Sequence, residues 1–181
     1  MNPMGLNNFT EEFGTVRACK NVVFCIAIKK TEQRDINRIN RCMEKIQDQM
    51  AENPVEKAFV WGDRDACSKG FSQTTARENY YIGFVDQYRN ISHSILLSLL
   101  LLEEQQKKQV KSENELYLFV NSSFGRTEAS NMIKILEAFK EIRLKIHLVK
   151  DDSNEKIRPD SFDKYVKEHD GEIYSMQTML I

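Results

Sequence analysis

The sequence predicts a single α/β domain: a doubly wound, Rossmann-like, mostly parallel sheet with helices on both faces. Three observations lead there. Short continuous apolar runs, such as Asn21-Val-Val-Phe-Cys-Ile-Ala-Ile28, read as strands buried on both sides. Stripes of apolar residues at three- and four-residue steps, clearest at Ile36, Ile39, Met43, Ile46 and Met50, read as amphipathic helices. The two patterns alternate along the chain, and strand–helix–strand units close onto a parallel sheet through right-handed crossovers.

A polar leader over residues 1–20 precedes the first strand. The helix that follows the strand starts at Asp35 as its N-cap and stops at Asn53-Pro54. Lys57 to Trp61 is a second strand. Residues 64–77 hold few apolar anchors and read as a loop, and Asn79 to Val85 fits a strand or a short helix equally well. The stretch from Ile91 to about Lys108 is a helix apolar nearly all round in its middle, which places it deep in the core. Then come a strand at Leu116–Val120, a helix over Thr127–Ile142 and a strand at Leu144–Val149. A helix opened by Pro159 and closed by Gly171 in the C′ position leads to a last strand at Glu172–Met176. No internal repeat or domain boundary interrupts residues 1–181.

Composition narrows the function classes. Lys plus Arg number 26 and Asp plus Glu 27, so the basic excess expected of a phosphate-gripping domain is missing and any DNA contact would be indirect. The longest apolar stretch, Ile95–Leu102, falls well short of the ~20 residues that span a bilayer, and residues 1–20 lack the pattern of a secretory signal. A soluble intracellular protein without membrane contact is the expectation. Cys19, Cys25, Cys42 and Cys67 form no C-x-x-C pair and read as reduced thiols, with burial expected at Cys25 and Cys42.

Chemistry is sought beyond the carboxyl ends of the strands, where such sheets bind ligands. The loop Lys29-Lys-Thr-Glu-Gln33 has no glycine and cannot form a phosphate-cradling turn. Gly62-Asp-Arg-Asp65 and Asp151-Asp152-Ser153 read as solvated turns, and Asn121-Ser122-Ser123 as a capping turn. His93, His147 and His169 fall at a helix start, in a strand and at a helix end, and structural roles are expected for all three. The residues thus predict no catalytic site, no cofactor and no metal. Trp61, Tyr80, Tyr81 and Tyr88 cluster in the least regular part of the chain and fit either a partner-binding surface or core.

The layout resembles a von Willebrand A domain. That family holds Mg²⁺ with a D-x-S-x-S loop after the first strand, a threonine from a later loop and an aspartate after the fourth strand. Here Ala27 and Ile28 stand in the first position, Asn121 replaces the aspartate, and Ser92 or Ser94 would stand for the threonine. The resemblance therefore implies a metal-free A domain kept as an interaction scaffold.

Within that family, residues from about Ser92 to Met176 are similar to the smaller A-domain subunit of core TFIIH. The likeness is carried by Ile95–Leu102 with Lys107-Lys108, Leu116–Ser123, Asn131-Met-Ile with Ala138-Phe139, and Asp160-Ser-Phe-Asp with Gly171-Glu-Ile-Tyr174. It implies a non-enzymatic nuclear subunit acting in transcription initiation and nucleotide excision repair. The partner it implies is the larger A-domain subunit, met through that partner's zinc-binding module. The four-cysteine zinc module usual in the family has no counterpart up to Ile181. Ku-type DNA-end-binding domains and the proteasomal ubiquitin receptor share the outline and are the alternatives.

Overall fold

The computed structural model describes residues 20–28, 32–50, 55–62, 64–70, 80–84, 91–108, 112–153 and 156–181, with the main chain only at 55, 56 and 80–84. The described strands are β1 (Lys20–Ala27), β2 (Val55–Trp61), β3 (Tyr80–Phe84), β4 (Glu113–Val120), β5 (Leu144–Lys150) and β6 (Glu172–Ser175). They form one sheet in the order β3-β2-β1-β4-β5-β6, and every neighbouring pair is parallel. The parallel doubly wound sheet predicted from the apolar runs is the sheet observed.

Successive strands step outward from β1 in one direction to β3, then restart beside β1 at β4 and step the other way. Right-handed crossovers in opposite directions must lie on opposite faces. Accordingly, α1 (Gln33–Gln49), α2 (Arg64–Gly70) and the short α6 (Met176–Met179) share one core with Phe24, Ile26, Phe59 and Phe119. The other core joins Val23, Cys25, Leu116 and Leu118 to α3 (Ile91–Lys108), α4 (Arg126–Ala138) and α5 (Ser161–Glu168). β1 and β4 are buried on both sides, which is why they carry no polar alternation. Each fully buried Phe or Ile contributes ~1.5–3 kcal/mol over an exposed one.

Helix ends differ in detail from the expectations. Glu32, not Asp35, is the N-cap of α1; Asp35 sits three residues in, and its carboxylate accepts the Glu32 N–H at 2.9 Å, the reciprocal half of a capping box. Asp160 caps α5 by accepting from the N–H groups of Phe162 and Asp163, so Pro159 lies just outside the helix. At the far end Asp170 takes the left-handed C′ conformation with φ 59°, and the Gly171 N–H reaches back to the Val166 carbonyl at 2.8 Å in a Schellman turn. Gly171 is required one position later than expected, since a Cβ there would lie 2.6 Å from the Ile146 carbonyl oxygen.

Two other expectations change. The segment read as a loop begins with α2, a two-turn helix whose buried residues are Ala66, Cys67 and Gly70. Gly70 is needed because a Cβ there would run into the Trp61 ring and lie 3.1 Å from Ile36. The undecided stretch is strand β3, paired in parallel with β2 from Lys57↔Tyr80 to Trp61↔Phe84. α3 lies against the sheet as expected, but Leu96 and Leu100 face outward at 40% and 44% exposure. No described helix is long and apolar enough to cross a membrane.

Candidate functional site

The crevice of an open parallel sheet lies beyond the carboxyl ends of the strands where the winding reverses, here between β1 and β4. Ala27 and Ile28 end β1 and are buried, offering no polar side chain. The mouth is crossed by a salt bridge. Arg38, in the second turn of α1, reaches Asp151 at the end of β5 with Nη2 2.5 Å from Oδ2. The same nitrogen lies 2.7 Å from Ser153 Oγ and 3.4 Å from Asp35 Oδ1. Gln177 of α6 donates to Asp151 Oδ1 at 2.9 Å, the Ser153 N–H donates to that oxygen at 3.2 Å, and the Asp151 N–H bonds the last carbonyl of β4, Val120. Both Asp151 oxygens are thus occupied by the chain's own donors. Burial alone would raise the Asp151 carboxyl, but the bonds from Ser153 and Gln177 and the Arg38 charge hold it below its ordinary range.

Asp151 is therefore no solvated turn residue, which corrects the expectation for Asp151-Asp152-Ser153: it is 3% exposed and ties three elements together. Asp65, by contrast, is an exposed partner of Lys69 at 2.9 Å. Asn121 is half-buried at the end of β4. Ser94 is buried in α3, and its Oγ has no hydrogen-bond partner. Among the described residues no group of three or more His, Cys, Asp or Glu is arranged to hold a metal ion.

A second polar group lies at the opposite, amino end of the sheet, on the α1 face. Five rings stack across five adjacent strands. Phe59 and Phe24 have centroids 5.2 Å apart, Phe24 and Tyr117 5.4 Å, Tyr117 and His147 4.1 Å, and His147 and Tyr174 5.7 Å. Register places these residues side by side: Phe24 faces both Phe59 and Tyr117, and Tyr117 faces His147. The ladder is apolar at β2 and turns polar at β5 and β6. His147 Nε2 is 2.6 Å from Glu115 Oε1, and Lys20 Nζ is 2.7 Å from Glu115 Oε2. Burial would raise Glu115, but the bonds from His147 and Lys20 prevail and bring it down to about 2. Burial and the Glu115 charge push the Tyr117 hydroxyl well up.

Of the aromatic cluster proposed from sequence, Trp61 is the member whose side chain is described. Trp61 is fully buried between β2 and α2, so the partner-binding reading is corrected for it: its indole fills the space left by Gly70. Tyr80 and Tyr81 are the first two residues of β3, and their side chains lie outside the described atoms, as does Tyr88 altogether. His93 and His169 are exposed, with the His169 ring stacked on Tyr165 at 4.0 Å and Nδ1 2.8 Å from the Tyr165 carbonyl. Cys25, Cys42 and Cys67 are buried thiols outside any disulfide; Cys19 is not among the described residues.

The Arg38–Asp151 bridge was missed because its members are 113 positions apart, and the ring ladder because register is not written in any one strand. The only local signal was Glu115 with Tyr117 on one face of β4. Fold and site define the class: a six-stranded, all-parallel, doubly wound α/β domain with an internally bridged crevice. No family model matches the chain, and a search of curated proteins returns no match.

Proposed function

We propose that this chain is a non-catalytic structural subunit, an A-domain-like scaffold that works through protein–protein contacts within a larger nuclear assembly. The observation that carries the reading is the Arg38–Asp151 bridge. At the position where this fold class takes its ligands, Arg38 and Asp151 are spent on each other, on Ser153 and on Gln177, and the described end of β1 is apolar. A carboxylate so occupied is a poor general base and a poor cation ligand, because a substrate or ion would have to displace a buried ion pair. Fold by itself assigns no activity, so the reading rests on the site.

The particular assembly follows from the likeness of residues 92–176 to the smaller A-domain subunit of core TFIIH. On that basis the partner is the larger A-domain subunit, and the processes served are transcription initiation by RNA polymerase II and nucleotide excision repair. A net charge of −1 supports an indirect relation to DNA rather than end binding. The test is native purification of the tagged chain from nuclear extract with identification of its partners. Co-elution with TFIIH subunits supports the reading. Co-elution with the proteasome, or a salt-sensitive DNA shift by the chain alone, overturns it in favour of the receptor or the Ku-type alternative.

A further inference from the structure

Asn21, the second residue of β1, is 2% exposed, and its side chain ends a run of amides on the α3 face of the sheet. Gln106 of α3 donates from Nε2 to the Glu141 carbonyl at 3.5 Å. Asn114 of β4 donates from Nδ2 to Gln106 Oε1 at 2.6 Å, and Asn21 donates from Nδ2 to Asn114 Oδ1 at 3.1 Å. A main-chain carbonyl can only accept, so it fixes the direction of the whole run. Turning any one of these amides over would set oxygen against oxygen. Asn21 Nδ2 also donates to Ser112 Oγ at 2.9 Å, which uses both of its hydrogens. Its Oδ1 is buried and, among the described residues, accepts no hydrogen bond.

The orientation of that oxygen follows from the register. Asn114 is the partner of Asn21 on β4, so the nitrogen reaches toward β4 and the oxygen turns the other way, toward β2. On that side lies a pocket of about 80 Å³ bordered by Asn21. Val23 of β1, Ala58 of β2 and Leu101 and Leu102 of α3 form its walls, with the half-buried Gln105 beside them. Lys57 borders it through its main chain, because its ammonium group donates to Gln47 of α1 on the opposite face at 3.4 Å.

We propose that this pocket binds a small, neutral, largely apolar molecule that donates one O–H or N–H to Asn21 Oδ1. Each part of that description has its cause. A buried acceptor with both donor hydrogens of its own amide already spent selects for a donor. Walls of valine, alanine and leucine select against charge, since a charged head would lose its hydration there without compensation. Water is a poor occupant, because it needs about two to four polar partners and the side chains here offer Asn21 and Gln105. A cavity of ~150 Å³ takes a benzene ring, so this one takes a body of roughly three or four carbons, the size of a short-chain alcohol. The pocket lies at the amino end of the strands, away from the Arg38–Asp151 crevice, and does not depend on it.

The test uses the full chain and two isomers, 1-butanol and diethyl ether, which contain the same atoms but differ in having a hydroxyl hydrogen. NMR spectra of the methyl groups of Val23, Ala58, Leu101 and Leu102 and of the Asn21 side-chain amide follow a titration with each. 1-Butanol is expected to shift these signals to saturation and to bind roughly tenfold more tightly than the ether, the factor that corresponds to one hydrogen bond to a buried acceptor. Ala58→Leu adds three carbons that fill the pocket from the β2 side while leaving the amide run in place. In that variant the Val23 and Leu102 shifts should vanish. An ether that binds wild-type protein as tightly as the alcohol overturns the assignment of Asn21. Shifts that grow in proportion to alcohol concentration without saturating, or that survive in Ala58→Leu, overturn the pocket itself.

Discussion

Arg38 and Asp151, 113 positions apart in the chain, meet at 2.5 Å beside the carboxyl end of β4 and close the crevice at which the sheet reverses its winding. Arg38 keeps some contact with solvent, with 22% of its side chain exposed against 2% for Asp151, so the two are not interchangeable in a mutational test.

Arg38→Met strands a buried carboxylate and should destabilise the chain by about 2–4 kcal/mol, whereas Asp151→Asn, which retains partners in Ser153 and Gln177, should cost about half as much. Urea unfolding of both single variants and the double variant measures the difference and the coupling between them. The Asp151 carboxyl is held below its ordinary 3.8, so its contribution is present above that value and is lost as pH falls below it.

Trp61 is the sole tryptophan and is sealed from water. Its emission should be blue-shifted and poorly quenched by acrylamide in the native state. Gly70→Ala places a methyl group against that indole and should cost ~1–3 kcal/mol, while Trp61→Phe in the same background should recover part of the loss. A red, freely quenched emission from native protein would count against the buried indole.

Much of the fold is legible because its strands are buried on both sides. β1 and β4 carry apolar runs, β5 alternates apolar residues with Lys145 and His147, and α1 and α4 show clean stripes. What escapes local reading has a physical cause in each case. α2 offers only Ala66 and Cys67 as apolar anchors, so its periodicity is too short to register. β3 carries its apolar residues without alternation, which fits either state. The cap of α1 falls on Glu32 because Asp35 bonds backward from the third position, a distinction that sequence spacing does not make. The candidate site was scarcely legible at all. Asp151 looks like one of two loop acids until β5 and α1 are placed together, and His147 looks like a lone strand histidine until Tyr117 and Tyr174 flank it.

Asp160 does two jobs. Its Oδ1 caps α5 through Phe162 and Asp163, and its Oδ2 accepts the Phe124 N–H at 3.0 Å, pinning the loop that leads into α4. Asp160→Ala should therefore exceed the ~1 kcal/mol of an ordinary N-cap loss and approach about 2 kcal/mol. Asp160→Asn should fall between the two. Thermal unfolding of the pair checks the order.

Glu115 gives the chain an acid limb. Its carboxyl lies at about 2 in the folded protein against an ordinary 4.5, so its stabilisation is complete above 4.5 and declines as pH falls toward 2. Glu115→Gln should lower stability at neutral pH and flatten the dependence between those values, as followed by urea midpoints at successive pH. An unchanged slope would mean that another carboxylate carries the acid limb.

The claim on which the functional reading stands is that this chain exists to be held by other proteins. Mass spectrometry of the complex recovered with the native, tagged chain from nuclear extract tests it most directly. The account predicts stoichiometric recovery of a larger A-domain subunit together with other core TFIIH components. Recovery of the chain alone at near-native concentration, or with proteasome subunits in their place, would contradict it.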